Sequence, residues 1–193
     1  YCSCFVPKKG TTIHKFNHEG QYEISFGDPI QIQRDDRVNW NLRSNSSHGR
    51  LTKLGNQLIY SQHTPYEIRS YNPENGMLKQ IVFRKNKFVP PKRVILKKGR
   101  YSDVAYAYPA SSYVTLIEVF KGYFINSTFC RGKEFGTVVD VFRSDGTLVQ
   151  CFKLPEQVLF REIDEDGFLY GIDKGFREKP EALVTYRLAK FDT

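Results

Sequence analysis

The sequence predicts an all-β protein, on three observations. Apolar and polar residues alternate with a period of two over much of the chain, glycine-containing turns interrupt that alternation at short intervals, and no stretch sustains the 3.6-residue apolar period of a helix. Composition agrees, since 12 Tyr and 15 Phe against one Trp and one Met is usage that favours sheets. At 193 residues the chain is long enough to bury a core as a single domain spanning 1–193.

The clearest element is VVDVFRSDGTLVQCFKLP, residues 138 to 155. Val139, Val141 and Leu148 fall on every second position, and Asp145-Gly146 supplies a turn able to take positive φ, so the stretch reads as a β-hairpin. The same pattern recurs in IHKFNHEGQYEISFG (13 to 27) and EIRSYNPENGMLKQIVFR (67 to 84), and its first strand recurs in LVTYRLAKFD (183 to 192). Gly20, Gly76 and Gly146 therefore occupy equivalent turns, each after a polar residue, Glu19, Asn75 or Asp145. Upstream of three of these hairpins lie paired apolar runs at 50 to 62, 113 to 129 and 158 to 173, broken at Leu54-Gly55-Asn56, Lys121-Gly122 and Asp166-Gly167. Joined to the hairpin downstream of it, each pair makes a four-stranded antiparallel meander of roughly 35 to 50 residues, the size of a propeller blade. The expected blades are 1–27 (partial), 50–84, 113–153 and 158–192 (partial), with long connections at 28–49 and 85–112.

LTKLGNQLIYSQHTPYEIRSYNPENGMLKQIVFR, then VVDVFRSDGTLVQCFKLP, then IDEDGFLYGID and VTYRLAKF, resemble the bacterial six-bladed β-propellers of the TolB-like and NHL-like kind, which carry a strand-and-turn phrase of the form I-x-V-F-D-x-D-G-x in each blade. The resemblance covers nearly the whole chain, and it is a pattern of strands and turns without a catalytic signature. It implies fold more than function, and it implies a periplasmic or extracellular setting. A six-bladed ring needs about 300 residues and a four-bladed one about 200, so the chain is expected to be either the C-terminal part of a six-bladed propeller or a compact four-bladed ring, and the long connections at 28–49 and 85–112 favour the first. The opening YCSCFVP is already strand-like, without an initiator Met or a charged-then-apolar leader, which favours a start inside a longer chain or after a removed leader. An open arc of blades would leave sheet faces for self-association or for missing N-terminal blades to cover.

Sites of chemistry are sparse. His14, His18, His48 and His63 fit no metal-binding spacing, and Cys2, Cys4, Cys130 and Cys151 contain no C-x-x-C pair, so neither a metal nor a cofactor is expected. The cysteines read as half-buried free thiols, with a disulfide between blades left open for an exported protein. Asp164-Glu165-Asp166-Gly167 looks like the start of a calcium loop, but its twelfth position is Gly175 where a bidentate Glu is required, so it reads as a turn. Asp35 and Asp36, adjacent on a strand, would point to opposite faces and make a poor acid/base pair. Asn45-Ser46-Ser47 and Asn126-Ser127-Thr128 would accept glycans only in a eukaryotic secreted protein. There is no G-x-S-x-G elbow and no glycine-rich phosphate cradle, and no run of about 18 apolar residues that would span a membrane.

Charge is the uneven feature. Residues 84 to 100, RKNKFVPPKRVILKKGR, hold eight cations and no acid, matching the +8 of the whole chain. Read as a blade-to-blade connection, this segment would join Lys8 and Lys9, Arg131 and Lys133, and Lys174, Arg177 and Lys179 on one face, diluted by Glu134, Glu178 and Glu181. The candidate ligand-binding residues are Lys92, Arg93, Lys97, Lys98, Arg131, Lys133 and Arg177. The competing reading is a solvated connection whose lysines protect a sheet edge. Only Phe88 interleaves with the cations, and no nucleic-acid module is recognisable, which argues against DNA or RNA. The sequence thus favours a non-catalytic binding or scaffolding module for an acidic protein or anionic ligand; the alternative is a propeller hydrolase or lyase whose catalytic residues come from several blades.

Overall fold

Strands form wherever the alternation and the turn glycines demanded them. The computed structural model describes residues 1–6, 11–28, 49–62, 67–83, 92–98, 101–107, 113–130, 136–173 and 182–188, and no helix occurs among them. The first sheet holds β1 (Cys2–Val6), β2 (Thr11–Phe16) and β3 (Tyr22–Phe26). The second holds β4 (Arg50–Leu54), β5 (Gln57–Gln62), β6 (Glu67–Tyr71) and β7 (Leu78–Phe83). A two-stranded ribbon comes next, β8 (Lys92–Lys98) with β9 (Tyr101–Ala107). The third sheet holds β10 (Tyr113–Phe120), β11 (Tyr123–Cys130), β12 (Gly136–Phe142) and β13 (Leu148–Leu154), and the fourth β14 (Val158–Ile163), β15 (Phe168–Asp173) and β16 (Ala182–Arg187). Every pairing is antiparallel between strands adjacent in sequence, so each sheet is a meander.

The ribbon corrects one expectation. The sequence places residues 92 to 107 inside the long connection 85–112, yet Lys92 pairs with Ala107 and Lys98 with Tyr101 in unbroken register. The apolar run Val94-Ile95-Leu96 has strong strand propensity, and the lysines around it do not prevent pairing.

The sheets stack face to face in chain order, and the alternation of side chains sorts the core into three layers. Ile13 and Phe26 of the first sheet meet Leu58, Tyr60 and Tyr71 of the second. On the other side of the second sheet, Ile59 and Ile68 meet Ile117, Phe124 and Phe142 of the third. On the far side of the third sheet, Ile125, Val139 and Val141 meet Val158, Phe160 and Leu169 of the fourth. Neighbouring residues such as Phe124 and Ile125 therefore serve different layers, which explains why β12 is buried along its whole length. Fully burying one such side chain contributes about 1.5–3 kcal/mol. β10 packs against β4 on one side and β14 on the other, so the first strands of successive sheets form an inner row. This repeated, propeller-like stacking of meanders is what the alternation predicted. Among the described residues, no helix is long and apolar enough to cross a membrane.

Turns repeat with the sheets. Gly20, Gly76 and Gly146 join the last two strands of the first, second and third sheets, all at φ between 70 and 80°. Each turn is tied by an Asn or Asp side chain accepting main-chain hydrogen bonds: Asn17 Oδ1 from Gln21 N at 2.8 Å, Asn72 Oδ1 from Glu74 N at 2.9 Å, Asp145 Oδ1 from Thr147 N at 2.9 Å. Asp164 does the same before Gly167 in the β14–β15 turn, accepting from Phe168 N at 2.9 Å. Asp164-Glu165-Asp166-Gly167 is thus the turn that the sequence predicts. Tight-turn ends of neighbouring sheets meet at two contacts: Tyr1 at the start of β1 donates to Pro73 O in the β6–β7 turn at 2.9 Å, and Gly167 abuts Phe120 at the end of β10.

Candidate functional site

The strands of each meander alternate in direction, so the ends that lead into 7–10, 63–66, 131–135 and 174–181 lie opposite the tight turns. Of the residues expected to bind an anion, Lys92, Arg93, Lys97 and Lys98 stand on β8, a strand and not a loop, while Arg131, Lys133 and Arg177 lie outside the described residues. Lys8, Lys9, Lys174 and Lys179 also lie outside them, as do Asp35, Asp36, Asn45, His48 and His63.

The described residues build a different site, at the seam between the first two sheets. A cleft of about 360 Å³ opens there, and Thr11, Ser25, Asp28, Arg69, Tyr71 and Leu78 line it. Arg69 is placed by strand geometry. Glu67 and Arg69 are two apart on β6 and share the face turned toward the first sheet, so the carboxylate reaches the guanidinium Nε. Nη1 donates to the Asp28 carbonyl and, at 3.5 Å, to the Tyr71 hydroxyl. The side chains of Arg69 and Glu67 are each only 12% exposed. Burial works against the Arg69 charge, but Tyr71 and Glu67 outweigh it and hold its pKa above the ordinary value. Burial likewise pushes the Tyr71 phenol up, only partly offset by Arg69, so its hydroxyl stays protonated. Nη2 has no acceptor among the described residues and is open to water, whereas Thr11 Oγ1 is buried and has no partner.

Strand register shows that Arg69 is particular to this sheet. Allowing for the bulge before each turn, Phe16 pairs with Tyr22, Tyr71 with Leu78 and Phe142 with Leu148, so the residues two before them, His14, Arg69 and Asp140, are equivalent. Their partners on the last strand are Ser25, Ile81 and Cys151. In the first sheet, His14 Nδ1 lies 2.6 Å from Ser25 Oγ, which satisfies one nitrogen of a ring only 4% exposed. In the third, Asp140 is wholly buried. The repeat demands no cation at this position, and the second sheet supplies one. A charged pair two apart inside the otherwise strand-like EIRSY was the sequence signal, easily passed over because isolated charges in strands are common.

Other expectations resolve locally. His18 lies in an exposed turn. Cys2 and Cys151 carry exposed thiols outside any disulfide, where the sequence predicts half-buried ones. Asn126, in one of the glycan triplets, is wholly buried on β11 and inaccessible to modification. Among the described residues no group of three or more His, Cys, Asp or Glu gathers to hold a metal. No protein-family model matches the chain, and no curated protein matches it in sequence.

Proposed function

We propose that the protein is a non-catalytic binding module, built as part of a β-propeller of the six-bladed kind, which takes an acidic partner at the end of the stack opposite its tight turns. The observation that carries this reading is topological. The turns at one end are short and tied by their own side chains, whereas the strand ends at the other lead into segments whose sequence includes Lys8, Lys9, Arg131, Lys133, Lys174, Arg177 and Lys179. A chain of net charge +8 draws in acidic ligands by long-range attraction, and that attraction weakens as salt screens it. The face-to-face stack supplies the rigid frame on which such connections are held.

Binding of fluorescent poly-L-glutamate, followed by anisotropy, tests the reading. Affinity should fall by at least about tenfold between roughly 50 and 300 mM salt, and Lys8→Glu, Lys9→Glu, Arg131→Glu and Lys133→Glu together should abolish it while the far-UV spectrum is kept. Salt-independent binding, or undiminished binding by the charge-reversed protein, would refute it.

A further inference from the structure

We propose that the seam cleft between the first and second sheets is a carboxylate-binding subsite, with Arg69 as its anchor and Thr11 as its second donor. This rests on the reading of the protein as a module for acidic partners, and it names the group recognised: a single carboxylate, as on an acidic side chain.

Three observations converge. Arg69 is held before any ligand arrives, because Glu67 fixes Nε while the Asp28 carbonyl and the Tyr71 hydroxyl fix Nη1. A guanidinium so fixed loses little freedom on binding. What remains is Nη2, with two N–H donors lacking acceptors among the described residues, on a side chain only 12% exposed. Thr11 Oγ1, buried and without a partner, lines the same cleft. The buried Thr11 Oγ1 is costly when left unsatisfied, whereas Nη2 is reached by water, and an acceptor that enters the space relieves the first and replaces that water on the second. The space, about 360 Å³, admits a side-chain carboxylate with its methylenes, which Leu78 would contact at the rim. Hydrogen bonds from a guanidinium to an anion are about twice as strong as those to a neutral acceptor. This preference acts against the negative charge of Glu67, paired with Arg69, and of Asp28 in the cleft wall. Thr11 begins β2 and Asp28 comes just after β3, while Gly76 and Leu78 flank the β6–β7 turn, so the cleft runs along the seam between the two sheets. Lys8 and Lys9 precede Thr11 closely in sequence.

The test is an NMR titration of the whole chain with sodium acetate, against acetamide and against sodium chloride at matched ionic strength. The proposal expects acetate to shift the Thr11 and Gly27 amides and the Arg69 Nε–Hε signal saturably, with an affinity on the order of millimolar for so small a probe. It expects acetamide to bind at least about fivefold more weakly and chloride to have no saturable effect. Glu67→Gln with Arg69→Met, removing both members of the ion pair together, should weaken acetate at least about tenfold. If that double variant does not fold, Thr11→Val is read in its place and should weaken acetate about threefold. The four-site charge reversal should leave acetate affinity within about threefold, which separates this subsite from the poly-glutamate reading: acetate binding without poly-glutamate binding refutes only the latter. No saturable shift at the cleft, an equal response to acetamide, or an equal response to chloride would overturn the proposal.

Discussion

Gly76, in the β6–β7 turn of the second sheet, lies directly against Phe26 of the first: a Cβ on Gly76 would stand 2.5 Å from the Phe26 ring Cγ and 2.7 Å from its Cβ. The turn glycine is thus needed twice, once for its φ of 70° and once for the neighbouring sheet. Gly146 repeats the relation one sheet on, with Val82 Cγ2 2.6 Å from the position of its absent Cβ. Gly20 has φ 78° but nothing within 4 Å.

The contrast gives the first prediction. Gly20→Ala should cost about 1–2 kcal/mol, the penalty for a side chain in the left-handed region. Gly76→Ala should cost at least about 2 kcal/mol more, because Phe26 is only 7% exposed and has nowhere to move. Urea midpoints of the two variants decide it, and equal midpoints would mean the sheets are not packed at this contact.

A second prediction comes from the sorting of β11 into two layers. Phe124 stacks on Phe142 at 5.0 Å between centroids, in the layer shared with the second sheet, while Phe160 lies in the layer shared with the fourth. Phe124→Ala and Phe160→Ala should each cost about 3–5 kcal/mol. Their effects should add within about 0.5 kcal/mol, whereas Phe124→Ala and Phe142→Ala should couple by more than that. Double-mutant cycles in denaturant read this directly.

Asn126 supplies a third. It is wholly buried, and neither its carbonyl nor its amide nitrogen has a hydrogen-bond partner. Asn126→Leu keeps the approximate shape and removes two unsatisfied groups, so it should raise stability by about 1–3 kcal/mol. A loss of stability instead would show that ordered water satisfies the amide in solution. Thermal unfolding is sufficient to tell the two apart.

The fourth prediction concerns acid. Hydrogen bonds from Phe168 N and then from the Tyr170 hydroxyl, the latter at 2.7 Å, hold the Asp164 carboxyl below its ordinary value of 3.8. A depressed folded pKa stabilises the turn above the unfolded value, and that contribution is lost as pH falls through the folded one. The Asp164 side-chain carbon should therefore titrate below 3.8 by NMR, and Tyr170→Phe should move the midpoint upward. A midpoint at or above 3.8 would mean the turn bonds do not persist in solution.

The sequence by itself determined the strands of the four meanders and their turns, because both are local. Period-two alternation places strands, and Asn17, Asn72, Asp145 and Asp164 with the glycines after them close turns using only neighbouring main-chain groups. It misplaced β8, since the cations of KRVILKK suggest a solvated connection, although pairing depends on main-chain groups and the propensity of Val94-Ile95-Leu96 more than on charge. Only the tertiary structure decided which face of each strand meets which neighbour. Leu58, Ile59, Tyr60 and Ser61 are all buried, so both faces of β5 are covered, and its sequence cannot say by which neighbour. The cleft was beyond the sequence for the same reason. Arg69 and Glu67 come from one strand, but Thr11 and Asp28 come from another sheet, and the space between them exists only once hydrophobic burial has brought the two sheets together.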